Sequence, residues 1–261
     1  MSAKATDKVI VITGASRGIG LEWTKQASLD PNTFVVAVVR NVSTAQLLEP
    51  LVAGGRVAVV EADMMRPETF TCFKANRAVK QAAENISAVT GGRVDVLINN
   101  AGGWFGAGAT SSKDMSISTP DEWSDAYKLN TVGPIFFTKA LLPLLEKSAL
   151  KHVVNISSFL GNTGFHESTN GGFGYNSYSV AKGALNFATL KYHLQLKDQG
   201  YTFITLNPGY VATDLTHTQE QKAPLTVEAS VSRCKSFVDR LTVAESGGNF
   251  SLDGSKEPLV Y

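Results

Sequence analysis

The stretch VIVITGASRGIGLEW (9–23) joins an apolar, β-branched run to an amphipathic segment through Gly14, Gly18 and Gly20. Glycine accepts positive φ angles and lets a ligand approach the backbone, and the N-terminus of a following helix offers unpaired N–H groups to an anion. The spacing G-x-x-x-G-x-G differs from the G-x-G-x-x-G of the general dinucleotide fingerprint, so a tight strand-to-helix turn is an alternative use of the same glycines. The stretch therefore predicts a strand–loop–helix unit that opens an α/β fold and offers a site for a diphosphate.

The rest of the chain repeats this alternation of short apolar runs and longer amphipathic segments. Runs without polar alternation indicate strands buried on both faces of a parallel sheet that helices cover. The predicted strands are 8–13, 33–39, 56–61, 94–99, 152–157 and 201–207. The predicted helices are 19–29, 67–89, 120–147, 177–198 and 226–241. This order predicts a doubly wound α/β (Rossmann) fold with right-handed crossovers.

Length and composition suit one domain over residues 1–261. A chain of 261 residues is at the upper end for a single α/β domain, and a net charge of +1 gives no basis for a nucleic-acid or membrane surface. Cys72 and Cys234 lie far apart without C-x-x-C spacing, which argues against a disulfide framework or a zinc site. No signal-like or membrane-length apolar run is present, so we expect a cytoplasmic protein without a metal.

Three long connections follow predicted strands, at 102–118, 159–174 and 208–226. All three come after the carboxyl ends of strands, where open α/β sheets bind their ligands. Loops of this length in a compact domain are usually functional, and the alternative for the first two is a tolerated surface insertion. We expect substrate loops here and a cofactor site in the N-terminal half.

The end of the second predicted strand indicates which dinucleotide is bound. An NAD-specific fold is expected to carry Asp or Glu about 20 residues after the glycine loop, to hold the ribose 2′-OH. Here the sequence is VVAVVRNVS, with Arg40 and Asn41 and no carboxylate, and Arg17 lies in the glycine loop itself. A guanidinium pairs with a 2′-phosphate through two parallel hydrogen bonds. We therefore predict NADP(H) as the cofactor; the alternative is that Arg40 is a solvated charge at a strand end.

The motifs together resemble those of the short-chain dehydrogenases/reductases. The matching residues are TGASRGIG (13–20), Asp63, NNAG (99–102), Asn130, NISS (155–158), YSVAK (178–182) and PGYVATDL (208–215). The opening loop and the ending GGNFSLDGSKEPLVY (247–261) look most like the carbonyl reductases that include fungal polyketide ketoreductases. The resemblance implies a seven-stranded parallel sheet in the order 3-2-1-4-5-6-7 with helices on both faces.

The resemblance also implies roles at the cofactor. Asp63 would bond the adenine end, Asn99 would steady the central strands, and the segment 208–213 would close over the nicotinamide, with Thr213 on its carboxamide or the diphosphate. The residues expected to bind the cofactor are Gly14, Ser16, Arg17, Gly18, Ile19, Gly20, Arg40, Asn41, Asp63, Met64, Asn100, Ala101, Gly102, Tyr178, Lys182, Pro208, Gly209, Val211 and Thr213.

Tyr178 and Lys182 form the candidate catalytic pair. Reducing a ketone needs a proton donor at the oxygen, and free tyrosine, with a pKa near ~10, is a poor partner near neutral pH. Lys182 lies four residues after Tyr178, on the same helix face, and its positive charge is expected to lower the pKa of that tyrosine. Tyr175 has Ser179 at the same spacing and so has no cation to tune it. The alternative is an ordinary contact on a helix surface.

A ketone oxygen also needs a hydrogen-bond donor while negative charge develops on it. Adjacent strand residues face opposite sides of a sheet, so Ser157 and Ser158 cannot both serve, and the family pattern matches Ser158. The family uses the residue matching Asn130 to hold a water that connects the lysine to solvent. The alternative for Asn130 is an amide that distorts its helix, since Asn is a poor residue inside a helix.

Nineteen residues separate Ser158 from Tyr178, more than in many members of the family. The additional stretch contains Phe165 and Phe173 among several glycines. The predicted substrate pocket is Trp104, Phe105, Phe159, Phe165, Tyr175 and Tyr210. An apolar, aromatic wall indicates a bulky or aromatic ketone rather than a small polar one.

Other classes of function have weaker support. No H-E-x-x-H pattern or G-x-S-x-G elbow occurs, and pairing Ser158 with His166 as a hydrolase leaves Lys182 and the glycine loop unexplained. A non-redox protein on the same fold, either an NADP-binding regulator or a cyclase or dehydratase, stays the second hypothesis. The family often pairs through the helices that start near Pro120 and Ser177, so a homodimer or homotetramer is possible.

Overall fold

In the computed structural model the described residues are 2–67, 81–106, 113–170, 173–216 and 223–257. Within them, one sheet has the strand order β3-β2-β1-β4-β5-β6-β7-β8. The strands are β1 (Lys8–Thr13), β2 (Thr33–Val39), β3 (Val57–Glu61), β4 (Val96–Asn99), β5 (His152–Ile156), β6 (Thr202–Asn207), β7 (Asn249–Ser251) and β8 (Lys256–Glu257). The predicted order of seven parallel strands is confirmed, and β8 extends it by pairing antiparallel with β7.

Helices cover both faces of the sheet. They are α1 (Gly18–Ser28), α2 (Glu49–Ala53), α3 (Gln81–Thr90), α4 (Pro120–Tyr127), α5 (Gly133–Leu145), α6 (Thr163–Ser168), α7 (Asn176–Leu196) and α8 (Val227–Val238). The predicted helix 120–147 is interrupted by a π-helical turn at Lys128–Val132, which contains Asn130. Of the predicted helix 67–89, residues 68–80 lie outside the described residues, as does Cys72.

The core consists of two layers, one on each face of the sheet. Val9 and Val11 of β1 pack with Phe137 and Leu141 of α5, whereas their neighbours in the strand belong to the opposite layer, with Trp23 of α1 and Phe237 of α8. Side chains alternate between the two faces of a strand, so an unbroken apolar run fills both layers. The two-faced burial predicted from these runs is therefore present.

The connection after β5 contains more regular structure than predicted. A 3₁₀ turn at Phe159–Gly161 is followed by α6, whose N-cap is Asn162. Six residues are too few to show a helical period in the sequence, and the surrounding glycines hide the cap signal. Residues 159–168 therefore form regular secondary structure rather than an irregular loop.

In the part of the chain that the structure describes, no helix combines the length and apolar character needed to cross a bilayer. The same residues contain no group of three or more His, Cys, Asp or Glu side chains arranged to hold a metal ion.

Candidate active site

The glycine loop connects β1 to α1 at the carboxyl edge of the sheet. Gly14 and Gly18 have φ angles of +65° and +54°, which L-residues rarely adopt. A Cβ on Gly14 would lie 2.9 Å from the Cα of Ala101, and one on Gly20 would lie 2.3 Å from the carbonyl oxygen of Gly14. The first turn of α1 carries no acidic residue, so its free N–H groups and positive end are left for an anion.

A cavity of about 420 Å³ runs from this loop along the strand ends. Most of the residues predicted to bind the cofactor line it. They are Gly14, Ser16, Arg17, Gly18, Ile19, Arg40, Asp63, Met64, Asn100, Ala101, Gly102, Tyr178, Lys182, Pro208 and Thr213. Backbone donors at one end and a lysine at the other suit a dinucleotide.

Four of the predicted cofactor residues lie elsewhere. Gly20 packs under the loop, within reach of the Asn100 side chain. Asn41 is exposed and is not among the residues that line the cavity; its Oδ1 accepts hydrogen bonds from the backbone N–H of Ser43 at 2.9 Å and from the Ser43 hydroxyl. Gly209 and Val211 line a second cavity instead. The side-chain oxygen of Asn41 is thus used locally, in an Asx turn.

Two arginines, Arg17 and Arg40, border the large cavity, and their guanidinium groups can pair with an anion. The Glu61 carboxylate of the neighbouring strand accepts a hydrogen bond from the backbone N–H of Val42 at 3.2 Å. Arg17 forms an ion pair with Asp214 at 3.2 Å, and both side chains are more than two-thirds exposed. Such an exposed pair contributes little, so the Arg17 guanidinium can exchange it for a phosphate.

Gly102, in the loop after β4, lies against two of the side chains predicted to be catalytic. A Cβ on Gly102 would lie 2.9 Å from the Oδ1 of Asn130 and 3.3 Å from the Nζ of Lys182. Asn130 donates to the carbonyl oxygens of Gly103 at 2.7 Å and Ala126 at 2.8 Å, and it accepts from the N–H of Gly103 at 3.1 Å. Both N–H groups of the amide are therefore used within the chain, and Asn130 anchors the loop after β4 to the π-helical turn.

Tyr178 and Lys182 lie on α7, buried at the inner end of the large cavity. The Nζ of Lys182 lies 5.6 Å from the centre of the Tyr178 ring and donates to the carbonyl oxygen of Ile156 at 2.7 Å. Burial raises the pKa of Tyr178 to about 12, against a hydrogen bond with Ser158 that lowers it. Burial also lowers the pKa of Lys182 to about 7.

These directions differ from the expected one. The sequence suggested that Lys182 lowers the pKa of Tyr178, but desolvation of the phenolate outweighs any such effect within the chain itself. Tyr178 is consequently a protonated hydroxyl at neutral pH, ready to donate. Burial, which no short motif reports, is the cause.

The two adjacent serines face different partners, as the strand geometry predicted. The hydroxyl of Ser157 donates to the Oδ1 of Asn186 at 2.6 Å. The Oγ of Ser158 accepts from the N–H of Leu160 at 3.2 Å and lies on the Tyr178 side. Ser158 and Tyr178 therefore present their hydroxyls together.

A second, apolar cavity of about 140 Å³ adjoins the first at Tyr178. Trp104 borders both cavities; its ring centre lies 4.7 Å from that of Tyr175 and 5.7 Å from that of Tyr178. Of the predicted pocket residues, Trp104, Phe159, Tyr175 and Tyr210 line this second cavity. Phe105 lines the larger one.

Phe165 lies behind the wall rather than in it. Its ring centre is 4.8 Å from that of Phe159 and 5.6 Å from that of Phe173, and the latter lines the cavity. Tyr175 takes a left-handed conformation, with φ of +56°, immediately before α7, and its buried ring packs against that of Trp104 at an interplanar angle of 33°. This conformation is uncommon for a bulky side chain and marks a site where tertiary contacts hold the backbone.

Sequence reasoning did not identify several other residues of the two cavities. Leu215 lines both cavities, although it ends the motif PGYVATDL that was quoted for other positions. Leu160 and Thr216 line the second one without a recognisable signal. Asn186, one helical turn after Lys182, lines neither cavity but bonds Ser157, and its spacing was the only signal for it.

The chain is similar to known proteins both in sequence and in structure. A family model described as short chain dehydrogenase matches residues 8–224. An uncharacterized oxidoreductase of Schizosaccharomyces pombe is 31% identical, over 97% of this chain and 99% of its own length. The short-chain dehydrogenase/reductase AacuF of Aspergillus aculeatus is also 31% identical, over 95% of this chain and 98% of its own. Among solved structures, an NADPH-bound carbonyl reductase from chicken fatty liver superposes with a TM-score of 0.83 at 27% identity, covering 96% of this chain and 98% of that one.

Proposed function

This chain belongs to the short chain dehydrogenase family, and we propose that within it the protein is an NADPH-dependent carbonyl reductase. The observation that carries the proposal is the meeting of two cavities at Tyr178. A long cavity with backbone donors ends there, and a small apolar cavity begins there. The arrangement suits a cofactor and a ketone on either side of one proton donor.

The cofactor proposal rests on the residues of the large cavity. The glycine loop and the N-terminus of α1 would hold the diphosphate, Arg40 and Arg17 the 2′-phosphate, and Asp63 the adenine end. Lys182 has three N–H donors, of which the carbonyl oxygen of Ile156 takes one, so others are left for the ribose hydroxyls. When bound, NADPH supplies the hydride to the carbonyl carbon. The NADPH in the chicken carbonyl reductase supports this choice.

The chain supplies the proton and polarises the carbonyl. Ser158 would donate a hydrogen bond to the ketone oxygen, and Tyr178 would transfer its proton to the same oxygen as negative charge develops. Since burial raises the pKa of Tyr178 to about 12, the donor form is the one present at neutral pH. This suits Tyr178 to the role of proton donor in ketone reduction.

The substrate that fits is a ketone bearing an apolar or aromatic group. The small cavity is enclosed by rings of Trp104, Phe159, Tyr175 and Tyr210, and aromatic side chains favour flat apolar partners. Its volume of about 140 Å³ suits one ring beside the carbonyl, with bulkier groups extending toward the 159–174 connection.

The test is NADPH oxidation with a panel of aryl and alkyl ketones, comparing wild type with Tyr178→Phe. Loss of a general acid costs about 10²–10⁴-fold in rate, so kcat should fall by that factor. NADPH affinity, measured by fluorescence quenching, should stay within about threefold because the phenyl ring keeps the packing on Trp104. Equal rates in the two proteins would reject the reductase mechanism and favour the non-redox alternatives.

We propose that the protein works in the cytoplasm. We also propose that it forms a dimer with a second copy through α4, α5 and α7. Tyr127, Phe136, Val180 and Leu194 expose between 40% and 53% of their surface on these helices. Val180 and Leu194 are fourteen residues apart, close to four helical turns, and so share one face of α7. Light scattering of the purified protein tests the pairing; a monomer at micromolar concentration would exclude it.

A further inference from the structure

Asn186 connects the two segments that carry the proposed catalytic hydroxyls. It follows Tyr178 and Lys182 on α7 at steps of four residues, which places all three on one side of the helix. Its side chain is buried, with 8% exposed, and reaches across to the chain that leaves β5. There it bonds on both sides of Ser158.

The first bond holds the residue before Ser158. The Oδ1 of Asn186 accepts the hydroxyl of Ser157 at 2.6 Å, and Ser157 is itself buried. The second bond holds the residue three positions after Ser158, since the Nδ2 of Asn186 donates to the carbonyl oxygen of Gly161 at 3.1 Å. A carbonyl oxygen only accepts, whereas a hydroxyl also donates, so these two partners determine which way the amide faces.

The backbone of this turn lies directly on α7. A Cβ at Gly161 would come within 2.8 Å of the carbonyl carbon of Lys182 and 3.0 Å of the nitrogen of Gly183. Between its two anchored ends, the turn is closed by the N–H of Gly161 on the carbonyl oxygen of Ser158, at 2.9 Å. The position of Ser158 relative to Tyr178 is therefore set by how this turn is seated on the helix.

We propose that Asn186 is a positioning residue of the active site, which seats the Ser158 turn against the helix that carries Tyr178 and Lys182. The inference rests on the proposed reductase function for its effect on rate, but not for its effect on the turn itself. Its consequence is that Asn186 controls proton donation without touching substrate. The hydrogen bond with Ser158 lowers the pKa of Tyr178. If the turn loses its contacts with Asn186, this hydrogen bond should weaken and the pKa of Tyr178 should rise further.

Thr189 offers a matched control on the same helix. Its Oγ1 accepts from the Nδ2 of Asn155 at 2.9 Å, and it is buried to a similar degree. This bond ties α7 to β5 two residues before Ser157, away from the turn. Thr189→Val thus removes a buried polar contact between α7 and β5, whereas Asn186→Leu removes the two contacts between α7 and the turn after β5, so only the second releases the turn.

The experiment compares wild type, Asn186→Leu and Thr189→Val. A displacement near 1 Å at a reacting group can cost about 10²-fold, so kcat for Asn186→Leu should fall by roughly 10- to 100-fold while the Kd for NADPH stays within about threefold. In the reverse reaction, the rising limb of the pH profile for alcohol oxidation, which reports deprotonation of Tyr178, should move to higher pH. Thr189→Val should lower Tm by a similar amount and leave kcat and that limb in place.

Equal changes of kcat in both variants, or an unmoved limb in Asn186→Leu, would overturn the proposal. Should Asn186→Leu fail to fold, Ser157→Ala removes the same bond from the strand side and is judged by the same two criteria. Amide hydrogen exchange at Leu160 and Gly161 separates this inference from the proposed function. If wild type reduces no ketone, the reductase proposal is rejected. Even then, faster exchange of these two amides in Asn186→Leu than in Thr189→Val would support the proposal that Asn186 positions the turn. Equal exchange in the two variants would reject it.

Discussion

The glycine loop and the aromatic wall stand at opposite ends of the active site and are built in different ways. Within residues 13–20, one continuous strand–loop–helix unit supplies the proposed anion site, and its shape comes from glycines at φ angles of +65° and +54°. The aromatic wall combines single side chains from three connections, with Trp104 after β4, Phe159 after β5 and Tyr210 after β6.

The difference shows where each region is sensitive. The glycine loop depends on backbone conformation and on the absence of a Cβ, so a single methyl group should disable it. The aromatic wall depends on ring packing, in which each contact contributes a modest share and neighbouring rings can adjust. We therefore expect large, all-or-none effects at the first region and graded, substrate-dependent effects at the second.

The largest effect is expected at Gly14. Gly14→Ala forces an alanine to φ of +65° and places its Cβ 2.9 Å from the Cα of Ala101, so the loop must shift. Backbone strain of this kind costs about 1–3 kcal/mol, and losing even one charge-assisted bond of about 1.5–3 kcal/mol lowers affinity by about 10- to 100-fold. The Kd for NADPH, measured by fluorescence, should rise by about 100-fold or more.

Gly200→Ala is the control for this prediction. Gly200 has φ of +78° at the end of α7, but nothing lies within 4 Å of an added Cβ. Its replacement should lower Tm through strain and leave the Kd for NADPH unchanged. An equal loss of affinity in both variants would show that the loop has no special place in binding.

The second largest effect is expected at Arg40, where the charge of the cofactor cavity is tested. Arg40→Leu removes the guanidinium that borders the cavity, so the KM for NADPH should rise by about 10- to 100-fold, as a charge-assisted bond of about 1.5–3 kcal/mol implies. The KM for NADH should hardly change. Asn41→Ala serves as the neighbouring control, since the Asn41 side-chain oxygen bonds Ser43 within its own turn, and should leave both values within about threefold. A wild-type preference for NADH would reject the cofactor assignment.

A smaller, substrate-dependent effect is expected from the aromatic wall. Phe165 supports Phe159 and Phe173 from behind, and aromatic pairs contribute about 0.5–1.5 kcal/mol each, so Phe165→Ala should raise the KM for bulky aryl ketones by about three- to tenfold. Small alkyl ketones and NADPH should bind as before. Equal effects on large and small ketones would argue against a substrate wall. This substitution is cleaner than shortening the connection, which would also displace the turn seated on α7.

The smallest effect concerns stability and its pH dependence. Burial lowers the pKa of Lys182 to about 7 from an ordinary value of 10.5, so between these values the unfolded chain binds more protons and stability rises with pH. Lys182→Met removes this penalty, which is largest below pH 7. Its Tm should therefore exceed that of wild type by a few degrees, and by more at pH 6 than at pH 9. A difference in Tm between the two proteins that does not depend on pH would contradict a Lys182 whose pKa is lowered by burial.

The strands and the glycine loop could be predicted from local patterns, whereas the strand order and most of the residues expected to bind the cofactor came from the resemblance to the short-chain dehydrogenases/reductases. Unbroken apolar runs identify strands buried on both faces, and the glycine spacing marks the loop regardless of what surrounds it. Local patterns did not reveal that the Asn41 side chain closes its own turn, or that the connection after β5 contains α6. In both places a short-range hydrogen bond of an asparagine decides the conformation, and composition alone does not distinguish its partners.

By itself, the sequence determined the fold, the glycine loop and the i+4 spacing of Tyr178 and Lys182, since each depends on residues close together in the chain. Only the tertiary structure decided that burial raises the pKa of Tyr178, that Trp104 borders two cavities, and that Asn186 forms hydrogen bonds on both sides of Ser158. The physical reason is that desolvation and side-chain packing depend on segments brought together from distant positions. Trp104, Ser158 and the helix that carries Tyr178 and Asn186 come together only when β4 and β5 lie side by side in the sheet.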